Sequence, residues 1–272
     1  MTKNIDASGI KLIVPNYELF FIDIWGVVHN GISIFQDSIE VLNELNKLNK
    51  EYVLLTNAPR PNFSVRKFLE KMGMQKKISE KVYTSGQASL DYLITNFKDK
   101  GFYHIGPSRD FDLFNSFKKN KISEINDSEY LLCTGLYEKQ DQNLNTYKEL
   151  LINQIDKRMV CTNPDLVVDR GKKREYCAGS IAKIFEDLGG KVDYFGKPYP
   201  NVYNLSTKIK NRKVLCIGDN LNTDIRGANI QNFSSLLISN GIHKEELINK
   251  NQNELFKEYN VSVDYIQKSL KW

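Results

Sequence analysis

Asp23 stands at the end of the apolar run Phe20-Phe21-Ile22 and is followed by Ile24-Trp25-Gly26. An apolar run of this kind reads as a buried parallel strand, and Gly26 marks a turn after it. A charge at the mouth of such a strand costs free energy unless a cation or hydrogen-bond donors meet it. Later segments supply both. Thr56-Asn57 follows Tyr52-Val53-Leu54-Leu55, Lys197 follows Val192-Asp193-Tyr194-Phe195, and Asp219-Asn220 follows Lys213-Val214-Leu215-Cys216-Ile217. Each lies just past an expected strand, at the edge of an open parallel sheet where ligands bind. Singly, Asp23 reads as a cap or turn residue and Lys197 as a surface lysine; together they read as a site. Two carboxylates, Asp23 and Asp219, suit Mg²⁺, which takes oxygen ligands and keeps several waters. Asp224 lies in the helix that follows and, read singly, caps it. A hydroxyl, an amide and an ammonium (Thr56, Asn57 and Lys197) can cradle phosphoryl oxygens. A carboxylate that attacks phosphorus gives an aspartyl-phosphate, and Asp23 is read as that nucleophile. Hydride transfer does not suit this set, and no G-x-G-x-x-G follows the first strand.

The elements that must position these residues alternate. A helix is expected over residues 37–50, with Ile39, Leu42, Leu45 and Leu48 on one face and Asp37 at its cap. A second carries Val65, Phe68, Leu69 and Met72 and ends near Gly73. Strands at 52–55 and 81–84 complete the first part, and the alternation predicts a parallel sheet with right-handed crossovers. From residue 86 a further α/β stretch begins. It has strands at 102–106, 130–133 and 159–161, a short helix marked by Phe111, Phe114 and Phe117, and a longer one through Leu144 to Ile155. The loop Asp169 to Arg174 closes it. No low-complexity linker sets it apart, so it reads as inserted: residues 1–85 and 178–272 form one Rossmann-like α/β core, and 86–177 form an inserted α/β domain. Ser235–Ile238 reads as the final strand, with polar helical material to Trp272.

Composition narrows the class. The chain has 272 residues, a net charge of +5 and 26% charged residues, the profile of a water-soluble globular protein. The densest basic cluster, Lys172-Lys173-Arg174, is too short and too poor in interleaved aromatics for nucleic acid, although an acidic metabolite suits the charge. Cys133, Cys161, Cys177 and Cys216 form no C-x-x-C pair, and three of them lie in strand-like runs, as buried free thiols do. No stretch approaches the roughly 20 apolar residues of a membrane span. No signal-peptide core opens the chain, and a reducing cytoplasm is the expected compartment.

With these residues in order, the chain resembles the haloacid dehalogenase superfamily. Its four motifs are matched by Asp23, by Thr56 with Asn57, by Lys197, and by Gly218-Asp219-Asn220-Leu221-Asn222-Thr223-Asp224. The insert between the second and third motifs, with Thr162-Asn163-Pro164-Asp165 and Gly196-Lys197-Pro198, resembles subclass IIA. That subclass includes 4-nitrophenyl phosphatase-like, nucleotide, phosphoglycolate and pyridoxal phosphatases. The resemblance implies a cap domain at 86–177 and a Mg²⁺-dependent hydrolase of a small phosphorylated metabolite, often a homodimer through its caps. It implies that Asp23 is nucleophile and metal ligand, that Asp219 binds the metal, that Asp224 binds it directly or holds a metal-bound water, and that the Trp25 backbone carbonyl can bind it too. Thr56 and Lys197 would orient phosphate with Asn57 and Asn220 as donors behind them, and Asn163 and Asp165 would shape the site from the cap.

One position departs from the family. Phosphatases of this kind carry a second aspartate, the general acid and base, two residues after the nucleophile; here it is Trp25. Indole cannot shuttle a proton, and general acid–base catalysis is worth about 10²–10⁴-fold. His29, a water or a substrate group could stand in. The departure keeps two further readings open: phosphoryl transfer to an acceptor other than water, and a metabolite-binding or regulatory protein with a retained phosphate site.

Overall fold

The computed structural model describes residues 2–138, 143–170 and 173–272. Its strands, in chain order, are β1 (Lys3–Asn4), β2 (Leu19–Ile22), β3 (Glu51–Thr56), β4 (Val82–Thr84), β5 (Phe102–Ile105), β6 (Tyr130–Cys133) and β7 (Arg158–Cys161). They continue with β8 (Val167–Arg170), β9 (Lys173–Tyr176), β10 (Lys191–Tyr194), β11 (Val214–Gly218), β12 (Ser234–Ile238) and β13 (Tyr265–Gln267). The chain divides into two compact units. One comprises Met1–Thr56, Arg66–Tyr83 and Lys197–Trp272; the other comprises Asn57–Val65 and Thr84–Gly196.

The first unit is built on a seven-stranded sheet in the order β1-β13-β12-β11-β2-β3-β4. Its registered pairs from β1 through to β3 are parallel. All four residues of β2 and all five of β11 are buried, as strands covered on both faces require. Each such Leu, Ile or Phe contributes about 1.5–3 kcal/mol by leaving water. From β2 the chain winds outward through β3 to β4, and from β11 it winds the other way through β12 to β13. The crevice beyond the C-terminal ends of β2 and β11 is therefore the topological switch point of the sheet.

The C-terminal segment corrects the expectation of polar helical material after a final strand at 235–238. Helix Gln252–Glu258 buries Leu255 and Phe256, and β13 then adds to β12 in parallel. Three apolar-poor residues, Tyr-Ile-Gln, carry too little pattern to announce a strand. The helix Gln36–Lys47 also begins without a side-chain cap. Asp37 lies in its first turn, where a negative charge meets the positive end of the helix dipole, rather than at the cap.

The second unit holds a four-stranded parallel sheet, β10-β7-β6-β5. Tyr147, Leu151, Ile181, Ala182 and Phe185 are among the side chains of its core. This unit runs past residue 177: helix Ala178–Asp187 packs on its core, and β10 pairs with β7. Residues 178–196 therefore do not join the seven-stranded sheet. Of the stretch Asp169 to Arg174, expected as a loop, Asp169 and Arg170 lie in β8 and Lys173 and Arg174 in β9, which pair antiparallel; Gly171 and Lys172 lie outside the described residues. Phe111 and Phe117 fall in 3₁₀ segments and Phe114 in the turn between them, rather than in a regular helix, with Phe111 exposed and the other two buried. The helix Leu144–Leu151 stops before the exposed Ile155.

Two buried titratable groups of the second unit face Thr134. His104 Nε2 lies 2.8 Å from Thr134 Oγ1, and the Asp110 carboxyl also bonds to Thr134. Burial lowers the His104 imidazole to about 4 and raises the Asp110 carboxyl to about 6. The His104 contribution is complete above its unfolded value of 6.5 and is lost as pH falls toward 4. The Asp110 contribution is complete below its unfolded value of 3.8 and is lost as pH rises through 6. Each amounts to about 3 kcal/mol, and between pH 4 and 6 they oppose. Accordingly, His104→Asn makes stability fall as pH rises across that window, and Asp110→Asn makes it fall as pH drops. Urea midpoints at pH 4, 5 and 6 read the two opposite slopes; equal slopes in both variants would refute the assignment.

Candidate active site

The switch point collects four charged groups of the first unit. Asp23 follows β2, and its backbone N–H donates to the Ile217 carbonyl at 2.8 Å, tying the ends of β2 and β11 together. Asp219 follows β11 directly. Residues Leu221–Ile225 then form one wide π-type turn, capped by the Asn220 side-chain oxygen, which accepts from the Asn222 N–H at 2.8 Å. That turn carries Asp224 back, so that its Oδ2 accepts from the Asn220 N–H at 3.1 Å. Lys197 Nζ donates to Asp23 Oδ1 at 2.5 Å and to Asp224 Oδ1 at 2.7 Å. Asp23, Asp219 and Asp224 each present an oxygen within 4.8 Å of the others. All four residues are buried, with Lys197 only 4% exposed.

Burying three carboxylates beside one ammonium leaves an excess of negative charge. Burial, reinforced by Asp23 and Asp224, pushes the Asp219 carboxyl well above its ordinary range. Burial likewise raises Asp224, against the opposing pull of Lys197, to about 6. For Lys197, burial works against the charged form, but Asp224 and Asp23 outweigh it and hold the ammonium protonated. A cluster of hard oxygen donors with unmet negative charge fits a divalent cation such as Mg²⁺.

Two glycines make room for Asp219. A Cβ at Gly26, whose φ is +81°, would lie 2.2 Å from Asp219 Oδ2. A Cβ at Gly241 would lie 2.1 Å from the same atom, which also accepts from the Ile242 N–H at 2.9 Å. Gly241→Ala therefore displaces the Asp219 carboxylate. The expected result is a folded protein that lacks whatever rise in melting temperature MgCl₂ gives the natural chain; a rise equal in both would show that Asp219 does not hold the ion.

The other expected site residues divide. Thr56, the last residue of β3, is buried at the same sheet edge as Asp23, since β3 and β2 register Leu54 against Ile22. The Asn220 amide oxygen is committed to its cap rather than aimed at a ligand. Asn57, Asn163 and Asp165 belong to the second unit. There Asn57 Nδ2 donates to Asp165 Oδ1 at 3.0 Å, and the Asn163 side-chain oxygen accepts from the Asp165 N–H at 2.9 Å, which is turn chemistry. His29 is buried, burial lowers its imidazole to about 4, and its Nδ1 accepts from the Gly31 N–H at 2.8 Å.

Sequence reasoning missed Gly241 and Ile242, which carry only a weak Asn-Gly turn signal. It also missed Tyr203, a fully buried phenol on helix Pro200–Ser206 that lines the space behind Asp23, Lys197 and Asp224. The Tyr203 hydroxyl has no hydrogen-bond partner among the described residues. All four cysteines are buried and stand outside any disulfide, and among the described residues no helix is long and apolar enough to cross a membrane.

Comparison with known proteins places this geometry. Residues 20–117 match the haloacid dehalogenase-like hydrolase family and residues 194–270 the HAD-hydrolase-like family. The two matches together span more than half of the chain, and the chain belongs to the haloacid dehalogenase-like superfamily. A haloacid dehalogenase-like hydrolase from Brucella suis 1330 superposes with a TM-score of 0.81 at 26% identity, covering 96% of this chain and 98% of that one. The 5'-nucleotidase YutF of Bacillus subtilis is 21% identical over 242 residues, which is 86% of this chain and 91% of the relative. Phosphoglycolate phosphatase 2 of Arabidopsis thaliana is 22% identical over 291 residues, with 95% of each chain covered.

Proposed function

We propose that the protein is a Mg²⁺-dependent phosphatase that hydrolyses a small phosphorylated metabolite through an aspartyl-phosphate on Asp23. The observation that carries this reading is the buried cluster of Asp23, Asp219 and Asp224 around Lys197. The relatives named 5'-nucleotidase and phosphoglycolate phosphatase support the same reaction class.

Lys197, by holding Asp23 Oδ1, fixes the carboxylate for attack and places positive charge where phosphoryl oxygens gather. Thr56, at the end of the neighbouring strand, donates its hydroxyl to the same oxygens. Asp219 and Asp224, with Asp23 and the Trp25 backbone carbonyl, hold Mg²⁺. The ion, when bound, neutralises charge on the transferring group. The second unit serves as the cap that selects the substrate.

Trp25 favours a second reading, a metabolite-binding protein that keeps the phosphate cradle without efficient turnover. Phosphate release from nucleoside monophosphates, phosphoglycolate and 4-nitrophenyl phosphate, with MgCl₂ or with EDTA, separates the two. Metal-dependent release supports the phosphatase. Binding of panel members by calorimetry without release would replace it by the binding protein.

A further inference from the structure

We infer that Asp23 takes phosphoryl groups from compounds whose leaving group is stable as an anion, namely acyl, aryl or enol phosphates, and that phosphorylated Asp23 accumulates during turnover. This rests on the phosphatase reading above and narrows its substrate class.

The inference starts from what surrounds the nucleophile in the first unit. The loop after Asp23 is closed by the Gly26 N–H, which donates to the His29 carbonyl at 2.8 Å. The side chain two residues beyond the nucleophile is an indole, whose N–H donates but does not titrate. It is also fixed in place. Its ring meets the His29 ring edge-on at 5.1 Å and 72°. A Cβ on Gly31 would come within 2.6 Å of its Cη2 atom, so backbone lies directly against the indole. His29 is equally committed: Nδ1 accepts from the Gly31 N–H at 2.8 Å, and the ring packs on Phe68 at 5.8 Å. Lys197 spends its charge on Asp23 and Asp224. The hydroxyl of Tyr203 is sealed behind the carboxylates, where a phenolate would be buried beside like charge. The Asp219 and Asp224 carboxylates are committed as well, Asp219 to the Ile242 N–H and Asp224 to Lys197 and the Asn220 N–H. Among the described residues, the first unit thus sets one ammonium, Lys197, among the carboxylates that would hold a cation, and no group suited to carry a proton to or from the reacting oxygen.

The two chemical steps feel this differently. In the first, an Asp23 carboxylate oxygen bonds to phosphorus and the bond from phosphorus to the leaving oxygen breaks. The electron pair departs on that oxygen, and any proton it needs arrives from solvent. A carboxylate or phenolate, with a conjugate acid near about 4 or 10, leaves unaided. An alkoxide, nearer the ~16 of water, does not. In the second step a water oxygen bonds to phosphorus and the phosphorus–oxygen bond to Asp23 breaks, restoring the carboxylate. The proton of the water passes to the departing inorganic phosphate or to solvent. With no side chain among the described residues of the first unit to take it, this step limits turnover, and the acyl-phosphate on Asp23 builds up.

The test is a leaving-group series on the unmodified protein with MgCl₂: acetyl phosphate, 4-nitrophenyl, phenyl and benzyl phosphates. We expect kcat/KM to fall by at least about 100-fold from 4-nitrophenyl to benzyl phosphate, the scale of a missing general acid. Rapid mixing with 4-nitrophenyl phosphate should show a burst of about one nitrophenolate per chain, with the label on Asp23 when [³²P]acetyl phosphate is quenched in acid. Trp25→Asp should flatten the series, whereas Trp25→Phe should leave it steep. Benzyl phosphate cleaved within tenfold of 4-nitrophenyl phosphate, without a burst, overturns the inference and leaves the phosphatase reading standing. No phosphate from any member of the series overturns that reading, and the inference with it.

Discussion

Replacing Asp23 by Asn lowers metal-dependent phosphate release by roughly 10⁴-fold or more, the scale on which enzymes lose rate when the attacking group is removed. The carboxamide is nearly isosteric with the carboxylate but is not a nucleophile toward phosphorus. It also withdraws one of the carboxylates that would hold Mg²⁺. Stability should move the other way. Asp23 contributes to the repulsion that raises Asp219 and Asp224, so its neutral replacement relieves like charge in a buried cluster. Lys197 keeps its bond to Asp224. The variant should therefore melt, in EDTA, no lower than the natural protein while being inactive. Activity within tenfold of the natural protein would remove Asp23 as the nucleophile. A large fall in melting temperature with parallel loss of activity would mean that Asp23 supports structure first.

The parts of this site that were legible in the sequence are those set by chain-local pattern. Asp23, Thr56 and Asp219 each terminate an apolar run, and a buried parallel strand is one of the few local structures such a run can form. Lys197 was legible for a different reason, its position between Gly196 and Pro198 just past another strand. Asp224 was not decided, because its role depends on the π-type turn over Leu221–Ile225 that swings it back to the Asn220 N–H. Helical spacing alone cannot distinguish that turn from an ordinary helix start. The Asn220 and Asn163 amides illustrate the same difficulty, since a side chain that caps a turn and one that holds a ligand have one composition. Gly241 and Ile242 reach Asp219 from more than twenty residues away, a contact that only the pairing of β11 with β12 creates. Sheet membership was the other blind spot. Lys191–Tyr194 reads as a strand whichever sheet it joins, and its partner, β7, is fixed by tertiary packing.

Lys197→Met should cost about 3–5 kcal/mol of folding stability at pH 8 in EDTA, because it leaves buried carboxylates without their partner. Methionine fills similar volume, so the loss is electrostatic rather than a cavity. The pH dependence follows from the direction of the carboxyl shifts. Asp219 and Asp224 are raised in the folded protein above their unfolded value of 3.8. A group raised in this way stabilises the fold when protonated, and that contribution is lost as pH rises through its folded value. Lys197 is what restrains the rise of Asp224, to about 6. Without it the folded-state value climbs further, and the window of falling stability moves upward from 6. The deficit of the variant should thus be greatest at pH 8 and shrink at pH 5.5, where the carboxyls keep their protons. Saturating MgCl₂ supplies an alternative cation and should recover part of the loss at pH 8. Urea unfolding at the two pH values, with and without the metal, measures each of these quantities. A deficit below about 1 kcal/mol at pH 8, or one that grows as the pH falls, would mean that the ammonium is not what holds Asp23 and Asp224 together.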